Sequence, residues 1–130
     1  FGLAENNLVE DTKTAGISVG HRDTDNVIRG NTVKRSGKVG ILFRPERGVG
    51  FTGDRNLVEK NTVIDSGDEN AAAMDVQGTT KSLVFRENKL VETRGAGKRI
   101  GIRLGADTKE IELQKNVFEG FSREVDDRRK

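Results

Sequence analysis

Few residues of this chain could support acid–base or metal chemistry. His21 is its sole histidine and cysteine is absent, which excludes thiolate metal sites, disulfides and a cysteine nucleophile. Two acidic segments, Asp23-Thr24-Asp25 and Asp65-Ser66-Gly67-Asp68-Glu69, have the oxygen ligands that Ca²⁺ prefers. Neither has the twelve-residue ligand spacing of a calcium-binding loop, so both favour polar loops over a cation site, and we expect no cofactor.

Residues 48–53 read Gly-Val-Gly-Phe-Thr-Gly, which matches the nucleotide-binding pattern Gly-x-Gly-x-x-Gly. A dinucleotide site needs a helix directly after that pattern, whereas Asp54-Arg55-Asn56 and a predicted strand follow here. The segment therefore predicts a loop.

A repeat that occurs five times predicts the elements that position these residues. Each unit has an apolar residue, two polar or small residues, an asparagine, one variable residue and a second apolar residue. The asparagines are Asn7, Asn31, Asn61, Asn88 and Asn116. Their spacings of 24, 30, 27 and 28 residues predict stacked units with loops of variable length. We interpret them as a ladder of hydrogen-bonded amides at left-handed turn positions.

Apolar columns predict three short strands in each unit. The residues three before the asparagine are Ala4, Ile28, Val58, Phe85 and Leu113, and those two after it are Val9, Val33, Val63, Leu90 and Phe118. Further strands are predicted at 16–19, 40–43, 73–76 and 101–104, each opened by a small residue that suits a bend. Alternation directs Ser18, Leu42, Asp75 and Arg103 outward from these strands.

Three strands per unit predict an all-β fold, a parallel β-helix of about four to five coils. A leucine-rich repeat shares the apolar positions around the asparagine but needs leucine eight residues before it. This chain has Asp23, Gly53, Thr80 and Thr108 there, and Asn26 and Asn56 break the apolar rule three residues later. The pattern therefore favours the β-helix.

Charged residues next to the asparagines alternate in sign from coil to coil. Two positions before the asparagine the residues are Glu5, Arg29, Glu59, Arg86 and Gln114, and one position before it Lys60, Glu87 and Lys115 follow one another. Opposite charges on adjacent strands stabilise a sheet, so we expect ion pairs between coils.

Over residues 4–118 the chain resembles the right-handed parallel β-helix proteins of the pectate-lyase-like superfamily. The resemblance rests on the Gly-Ile-x-apolar strands at 16–19 and 40–43 and on the apolar-x-x-Asn-x-apolar turns at 28–33 and 58–63. It implies a right-handed coil and a secreted or cell-surface protein. Because the superfamily holds lyases, hydrolases, epimerases, adhesins and inert spacers, it leaves open whether the chain is an enzyme.

In such enzymes the polysaccharide lies along the outside of the first sheet, which the resemblance equates with the Gly-Ile-x-apolar sheet. The candidate binding residues are Arg44, Asp75, Arg103, His21 and Phe51. The arginines would grip uronic-acid carboxylates, Asp75 would hold a bridging cation or accept a proton, and Phe51 would contact a sugar ring. Alternatively Asp75 and Arg103 form a cross-strand ion pair and His21 is only solvated. No catalytic motif can be placed on the sequence, so no catalytic residue is assigned.

Composition limits the partners. The 23 Lys and Arg residues are interspersed among 21 Asp and Glu, and Trp and Tyr are absent, which is unlike a nucleic-acid-binding surface. No apolar run is long enough for a membrane span. We interpret Arg128-Arg129-Lys130 as a solvated terminus of a polar tail, residues 121–130, with Phe118 and Phe121 closing the last coil.

At 130 residues the chain fits one domain, residues 1–130, and the apolar Phe1 and Leu3 indicate part of a longer β-helix protein. The open first coil, with Leu8, predicts self-association. Two functions remain. The chain is either the carbohydrate-facing part of a larger polysaccharide-active or polysaccharide-binding protein, or a purely structural or interaction solenoid.

Overall fold

The computed structural model describes residues 1–129, which form fifteen strands in three parallel sheets. The first sheet contains β1 (Leu3–Glu5), β4 (Val27–Arg29), β7 (Leu57–Glu59), β10 (Lys81–Arg86) and β13 (Lys109–Gln114). The second contains β2 (Leu8–Glu10), β5 (Thr32–Lys34), β8 (Thr62–Ile64), β11 (Lys89–Val91) and β14 (Val117–Glu119). The third contains β3 (Ala15–Val19), β6 (Val39–Phe43), β9 (Ala72–Val76), β12 (Ile100–Leu104) and β15 (Arg123–Asp127).

The chain passes through the three sheets in turn, and each pass adds one strand to every sheet. This confirms the predicted right-handed parallel β-helix. The described residues include no helix that is long and apolar enough to cross a membrane.

Only one of the three corners has a constant length. Every turn between the first and second sheets has two residues, at 6–7, 30–31, 60–61, 87–88 and 115–116. The connections from the second to the third sheet are 11–14, 35–38, 65–71, 92–99 and 120–122. Those from the third sheet back to the first are 20–26, 44–56, 77–80 and 105–108. The irregular spacing of the asparagines thus comes from two corners only.

The core is built from side chains that lie in register on successive coils. In the third sheet Ile17 pairs with Ile41, Ile41 with Met74 and Met74 with Ile102. Met74, Ile41 and Ile102 have no exposed surface, and the rings of Phe43 and Phe85 pack edge to face with centroids 5.8 Å apart. The inward columns inferred from the sequence are therefore confirmed.

Gly16, Gly40 and Gly101 are the second residues of β3, β6 and β12, and they have a different role from the predicted bend. A Cβ atom at Gly40 would lie 2.5 Å from Val63 Cγ1, and one at Gly101 would lie 2.5 Å from Phe118 Cδ1. Real side chains never approach so closely, so these positions stay small because the second sheet of the next coil projects its apolar side chain over them.

The five asparagines form the predicted ladder. Each Oδ1 atom from Asn31 to Asn116 accepts hydrogen bonds from the backbone N and the Nδ2 of the asparagine one coil earlier, at 2.9–3.1 Å. The Nδ2 atoms also donate to carbonyls of the first sheet, those of Ala4, Ile28, Val58 and Phe85. Every bond runs between consecutive coils, so the ladder fixes how they stack.

The predicted left-handed conformation of the ladder asparagines is wrong. It belongs to the residue before each asparagine, with φ between 54° and 67°, at Asn6, Gly30, Lys60, Glu87 and Lys115. None of the ladder asparagines has positive φ in the part of the chain that the structure describes. The first residue of each turn reverses the chain, and the second, the asparagine, places its side-chain amide in the ladder.

The predicted ion pairs between coils form in one column. Arg29 contacts Glu5 at 2.6 Å and Glu59 at 3.5 Å, and Arg86 contacts Glu59 at 3.1 Å. The column of Lys60, Glu87 and Lys115 forms no ion pair within residues 1–129, where every cation of a salt bridge is an arginine. Only the former column therefore contributes direct pairs.

The C-terminal residues add a fifth strand to the third sheet. Phe118 and Phe121 meet edge to face, with centroids 6.5 Å apart, and β15 then pairs with β12. Arg128 and Arg129 also form ion pairs, Arg128 with Asp126 at 2.9 Å and Arg129 with Asp127 at 2.8 Å, and the side chain of Arg128 stays 55% exposed. Lys130 lies outside the described residues.

Candidate functional site

The outer face of the third sheet carries the candidate residues in two adjacent columns. Ser18, Leu42, Asp75, Arg103 and Asp126 are Cα partners on consecutive coils. Two residues later the second column reads Gly20, Arg44, Gln77, Gly105 and Arg128. The backbone N of each residue from Arg44 to Arg128 in that column donates to a carbonyl one coil earlier, so the column continues the sheet.

Arg44 lies across the first coil. Its Nη1 donates to Ser18 Oγ at 3.0 Å, and its Nε lies 3.5 Å from the carboxylate of Glu46. A Cβ atom at Gly20 would lie 2.6 Å from Arg44 Nε, so the glycine leaves room for the guanidinium. Arg44 therefore keeps a partly exposed positive charge with only one distant carboxylate beside it.

Asp75 faces outward from the sheet and is nevertheless 94% buried, with 6% of its surface exposed. Its Oδ2 accepts a hydrogen bond from Gln77 Nε2 at 2.8 Å, whereas its Oδ1 is buried without a partner among residues 1–129. Burial raises the pKa of Asp75 above its ordinary value, against the opposing effects of the Gln77 hydrogen bond and the charges of Arg103 and Arg128.

The alternative of an ion pair between Asp75 and Arg103 is wrong. The two residues are Cα partners on β9 and β12, but Arg103 Nε donates to Asp126 Oδ2 at 3.2 Å. Arg103 Nη2 donates to the carbonyl of Asn70 at 3.2 Å. The guanidinium therefore pairs with the carboxylate of the following coil and not with Asp75.

Asp126 is the centre of an arginine cluster that the sequence did not reveal. Its carboxylate contacts Arg103 at 3.2 Å, Arg123 at 3.2 Å and Arg128 at 2.9 Å. Desolvation opposes ionisation, but hydrogen bonds from Arg103 and Arg128 hold the pKa of Asp126 below its ordinary value. Three guanidinium groups share one carboxylate, so the cluster has excess positive charge, and Arg123 and Arg128 remain more than half exposed.

His21 and Phe51 form a separate cluster beside the sheet. Their ring centroids lie 5.7 Å apart, and the guanidinium of Arg22 lies 5.0 Å from the Phe51 centroid. Arg22 N also donates to the carbonyl of Phe51 at 3.3 Å. The predicted pairing of Phe51 with a sugar ring stays a prediction, since His21 and Arg22 already lie against that ring.

An open groove of about 1000 Å³ runs beside the connections 44–56 and 105–108. Arg47 contacts Asp107 across it at 3.0 Å, and the lining has four basic and three acidic side chains. A smaller cavity of about 220 Å³ lies at the first coil, next to exposed Leu3. Self-association through that coil stays a prediction.

In each acidic segment one carboxylate is already hydrogen-bonded to the protein, that of Asp23 within its own loop and that of Asp65 to the connection of the next coil. Asp23 Oδ2 accepts from Gly20 N at 3.0 Å, and the Asp65 carboxylate accepts from the backbone N and hydroxyl of Thr93 at 2.6 and 2.7 Å. Within the described chain no three His, Cys, Asp or Glu side chains converge to hold a metal ion.

Replacing Asp75 by asparagine should stabilise the protein increasingly as the pH rises. Folded Asp75 keeps its proton above pH 3.8, its ordinary pKa, so its contribution is full below that pH and is lost as the pH rises through the folded pKa. Each unit by which folding raises this pKa corresponds to about 1.4 kcal/mol. Urea unfolding of both proteins from pH 4 to 8 measures the difference, and a difference independent of pH would contradict the assignment.

A family model described as periplasmic copper-binding protein (NosD) matches residues 3–129 of the chain. No curated protein and no solved structure gives a match.

Proposed function

The chain belongs to the NosD family, described as periplasmic copper-binding proteins, and we propose that it is a β-helix module whose third sheet binds a carboxylate-bearing polysaccharide. The observation that carries the proposal is the excess of arginine on that face. Arg103, Arg123 and Arg128 share the one carboxylate of Asp126, and Arg44 has only Glu46 at 3.5 Å. A periplasmic family is consistent with a secreted or surface location, where polysaccharides occur.

The spacing of the positive charges suits an elongated ligand. Arg44 and Arg128 stand in one column three coils apart, which corresponds to roughly 14 Å at the strand spacing of a β-sheet. Gln77 lies between them and offers an amide for sugar hydroxyls. A polymer with repeated carboxylates could contact both ends of the face at once, and arginine binds carboxylates in a bidentate geometry.

Copper does not enter this proposal, because the side chains present do not fit a copper site. Protein ligands for copper are chiefly cysteine, methionine and histidine. The chain has no cysteine, its one methionine, Met74, is fully buried in the core, and its one histidine, His21, lies against Phe51. The described residues therefore supply no set of donors for the metal in the family's description.

Binding should be measured by calorimetry against polygalacturonate, alginate and neutral dextran at low salt. We expect the acidic polymers to bind and dextran not to bind. Arg44→Ala and Arg128→Ala should each weaken binding about tenfold, which corresponds to the loss of one charge-assisted hydrogen bond of about 1.4 kcal/mol. Both arginines are at least one-third exposed, so melting temperatures should stay within a few degrees.

Arg35→Ala is the matched control. Arg35 is an exposed arginine paired with Asp11 at 2.7 Å, on the corner that follows the second sheet. Its removal changes the net charge equally and should leave binding unchanged. If no acidic polymer binds, or if Arg35→Ala weakens binding as much as Arg128→Ala, a specific polysaccharide face is refuted.

The alternative function is a purely structural solenoid, and the ion pairs between coils favour it. Arg29, Arg35 and Arg55 each contact a carboxylate one coil earlier, at 2.6, 2.7 and 2.9 Å. Charges used in this way stabilise the stack and are not free for a ligand. This alternative predicts no binding to any polymer of the panel.

A further inference from the structure

Arg103 lies between two carboxyl groups and contacts only one of them. Its Cα partner on β9 is Asp75 and its Cα partner on β15 is Asp126. The guanidinium donates to Asp126, which also contacts Arg123 and Arg128. Asp126 would therefore keep two arginine partners if Arg103 turned to the other carboxyl group.

Asp75 has an unpaired carboxyl oxygen to which Arg103 could donate a hydrogen bond. Its Oδ1 atom is buried and has no hydrogen-bond partner in the described chain. Just beyond its own strand it contacts Gln77, and β6 places uncharged Leu42 directly beside it. The charged groups that act on it are Arg103 on β12, Asp126 on β15 and Arg128 just beyond.

The protonation state of Asp75 decides how much free energy the unpaired oxygen costs. A neutral carboxyl group with one unpaired oxygen costs a moderate desolvation energy, whereas a buried carboxylate without a charged partner costs far more. Burial raises the pKa of Asp75 and so favours the neutral form of its carboxyl group. An ionised Asp75 needs a cation, and Arg103 on the adjacent strand can reach it by a change of rotamer.

We propose that Asp75 is a proton-controlled gate on the arginine cluster around Asp126. When Asp75 is protonated, Arg103 stays on Asp126 and three guanidinium groups share one carboxylate. When Asp75 is ionised, it takes Arg103, and the same three guanidinium groups then face two carboxylates. The face thus loses one unit of positive charge as the pH rises and releases anionic ligands.

Coupled titration of the two side chains tests the gate in the free protein. The carboxyl ¹³C resonance of Asp75 and the Nε–H resonance of Arg103 should change with one common midpoint between pH 4 and 8. In Asp75→Asn the Arg103 resonance should no longer respond to pH over that range. An Arg103 resonance that does not follow Asp75 in the wild-type protein would overturn the proposal.

The consequence for ligands rests on the polysaccharide function proposed above, and binding at different pH values tests it. With dextran sulfate, whose sulfate groups stay ionised, affinity should fall about fivefold from pH 4 to 8 at constant ionic strength, and polygalacturonate should show the fall over the part of that range in which it is ionised. Asp75→Asn should bind with the low-pH affinity throughout. His21→Asn, which removes the sole histidine, is the control and should keep the fall.

The outcomes separate the two proposals. An affinity that falls equally in wild type and Asp75→Asn refutes the gate while leaving the binding face intact. Absence of binding by either polymer at every pH refutes the polysaccharide function. In that case, Arg103 following Asp75 in the titration would still support a proton-controlled arginine cluster.

Discussion

Asn61→Ala should lower the free energy of unfolding by about 4 kcal/mol, close to the whole stability of a marginal domain. The Asn61 side chain makes four buried hydrogen bonds. Its Oδ1 accepts from the N and Nδ2 of Asn31, and its Nδ2 donates to the carbonyl of Ile28 and to Asn88 Oδ1. Alanine leaves the backbone N of Asn31 without this partner and removes one bond each from Asn31 Nδ2 and the Ile28 carbonyl, and a buried group left unpaired costs about 1–3 kcal/mol.

Asn7→Ala is the matched control from the same column. The Asn7 side chain makes a single hydrogen bond within the described chain, from Nδ2 to Asn31 Oδ1, so its removal should cost about 1 kcal/mol. Urea unfolding with comparison of midpoints and slopes measures both values. Similar losses for the two variants would mean that the amides are not bonded as a continuous ladder.

Glu59→Lys should be the most damaging change of a surface charge, with a loss of about 3 kcal/mol against about 1 kcal/mol for Glu59→Gln. Glu59 is only 6% exposed. Its carboxylate accepts from Arg86 Nε at 3.1 Å and lies 3.5 Å from Arg29 Nη1. Lysine would place a third positive charge between two arginines, whereas glutamine keeps an acceptor for one of them.

Glu5 offers the comparison at the exposed end of the same column. It pairs with Arg29 where both side chains are more than one-third exposed, so Glu5→Lys and Glu5→Gln should each cost less than about 1 kcal/mol. Equal stabilities of Glu59→Lys and Glu59→Gln would refute a contribution from the alternating charges.

The fold could be predicted because its signals are local and repeated. An inward column such as Val33, Val63 and Leu90 needs only the alternation of a strand and a turn of constant length beside it. Five copies of the same turn reinforce one another, since an error in one unit would break the register of the next. The sheets, the coil and the asparagine ladder all follow from that repetition.

Asn26 and Asn56 show where residue-type rules failed. They interrupt an apolar column, yet Asn56 is buried and accepts from Asn26 N at 2.8 Å. Its Nδ2 donates to the carbonyls of Asp23 and Gly53 at 2.8 and 2.9 Å. The side-chain amide of Asn56 thus satisfies backbone groups of the long connections 20–26 and 44–56. The partners lie in irregular loops, so sequence periodicity gave no sign of them.

The candidate site was predicted only in part, because the sequence of β15 did not indicate a strand. Arg44, Asp75 and Arg103 were correctly placed on one face, because alternation fixes the face of each side chain. The partner of Arg103 was missed, because Val125 is the one apolar residue of the last strand and its neighbours are charged. A strand with a single apolar residue has no periodic signature.

Replacing residues 47–50, the exposed tip of the connection 44–56, should change the surface beside the third sheet without disturbing the coil, because the buried Thr52, Asp54 and Asn56 stay in place. The amide rungs lie at a different corner, where no unit has gained or lost a residue, and each rung is held only by its immediate neighbours along the axis. Divergence can therefore proceed one coil at a time. The asparagine corner keeps a constant length, and the other two corners can be varied in an engineered protein.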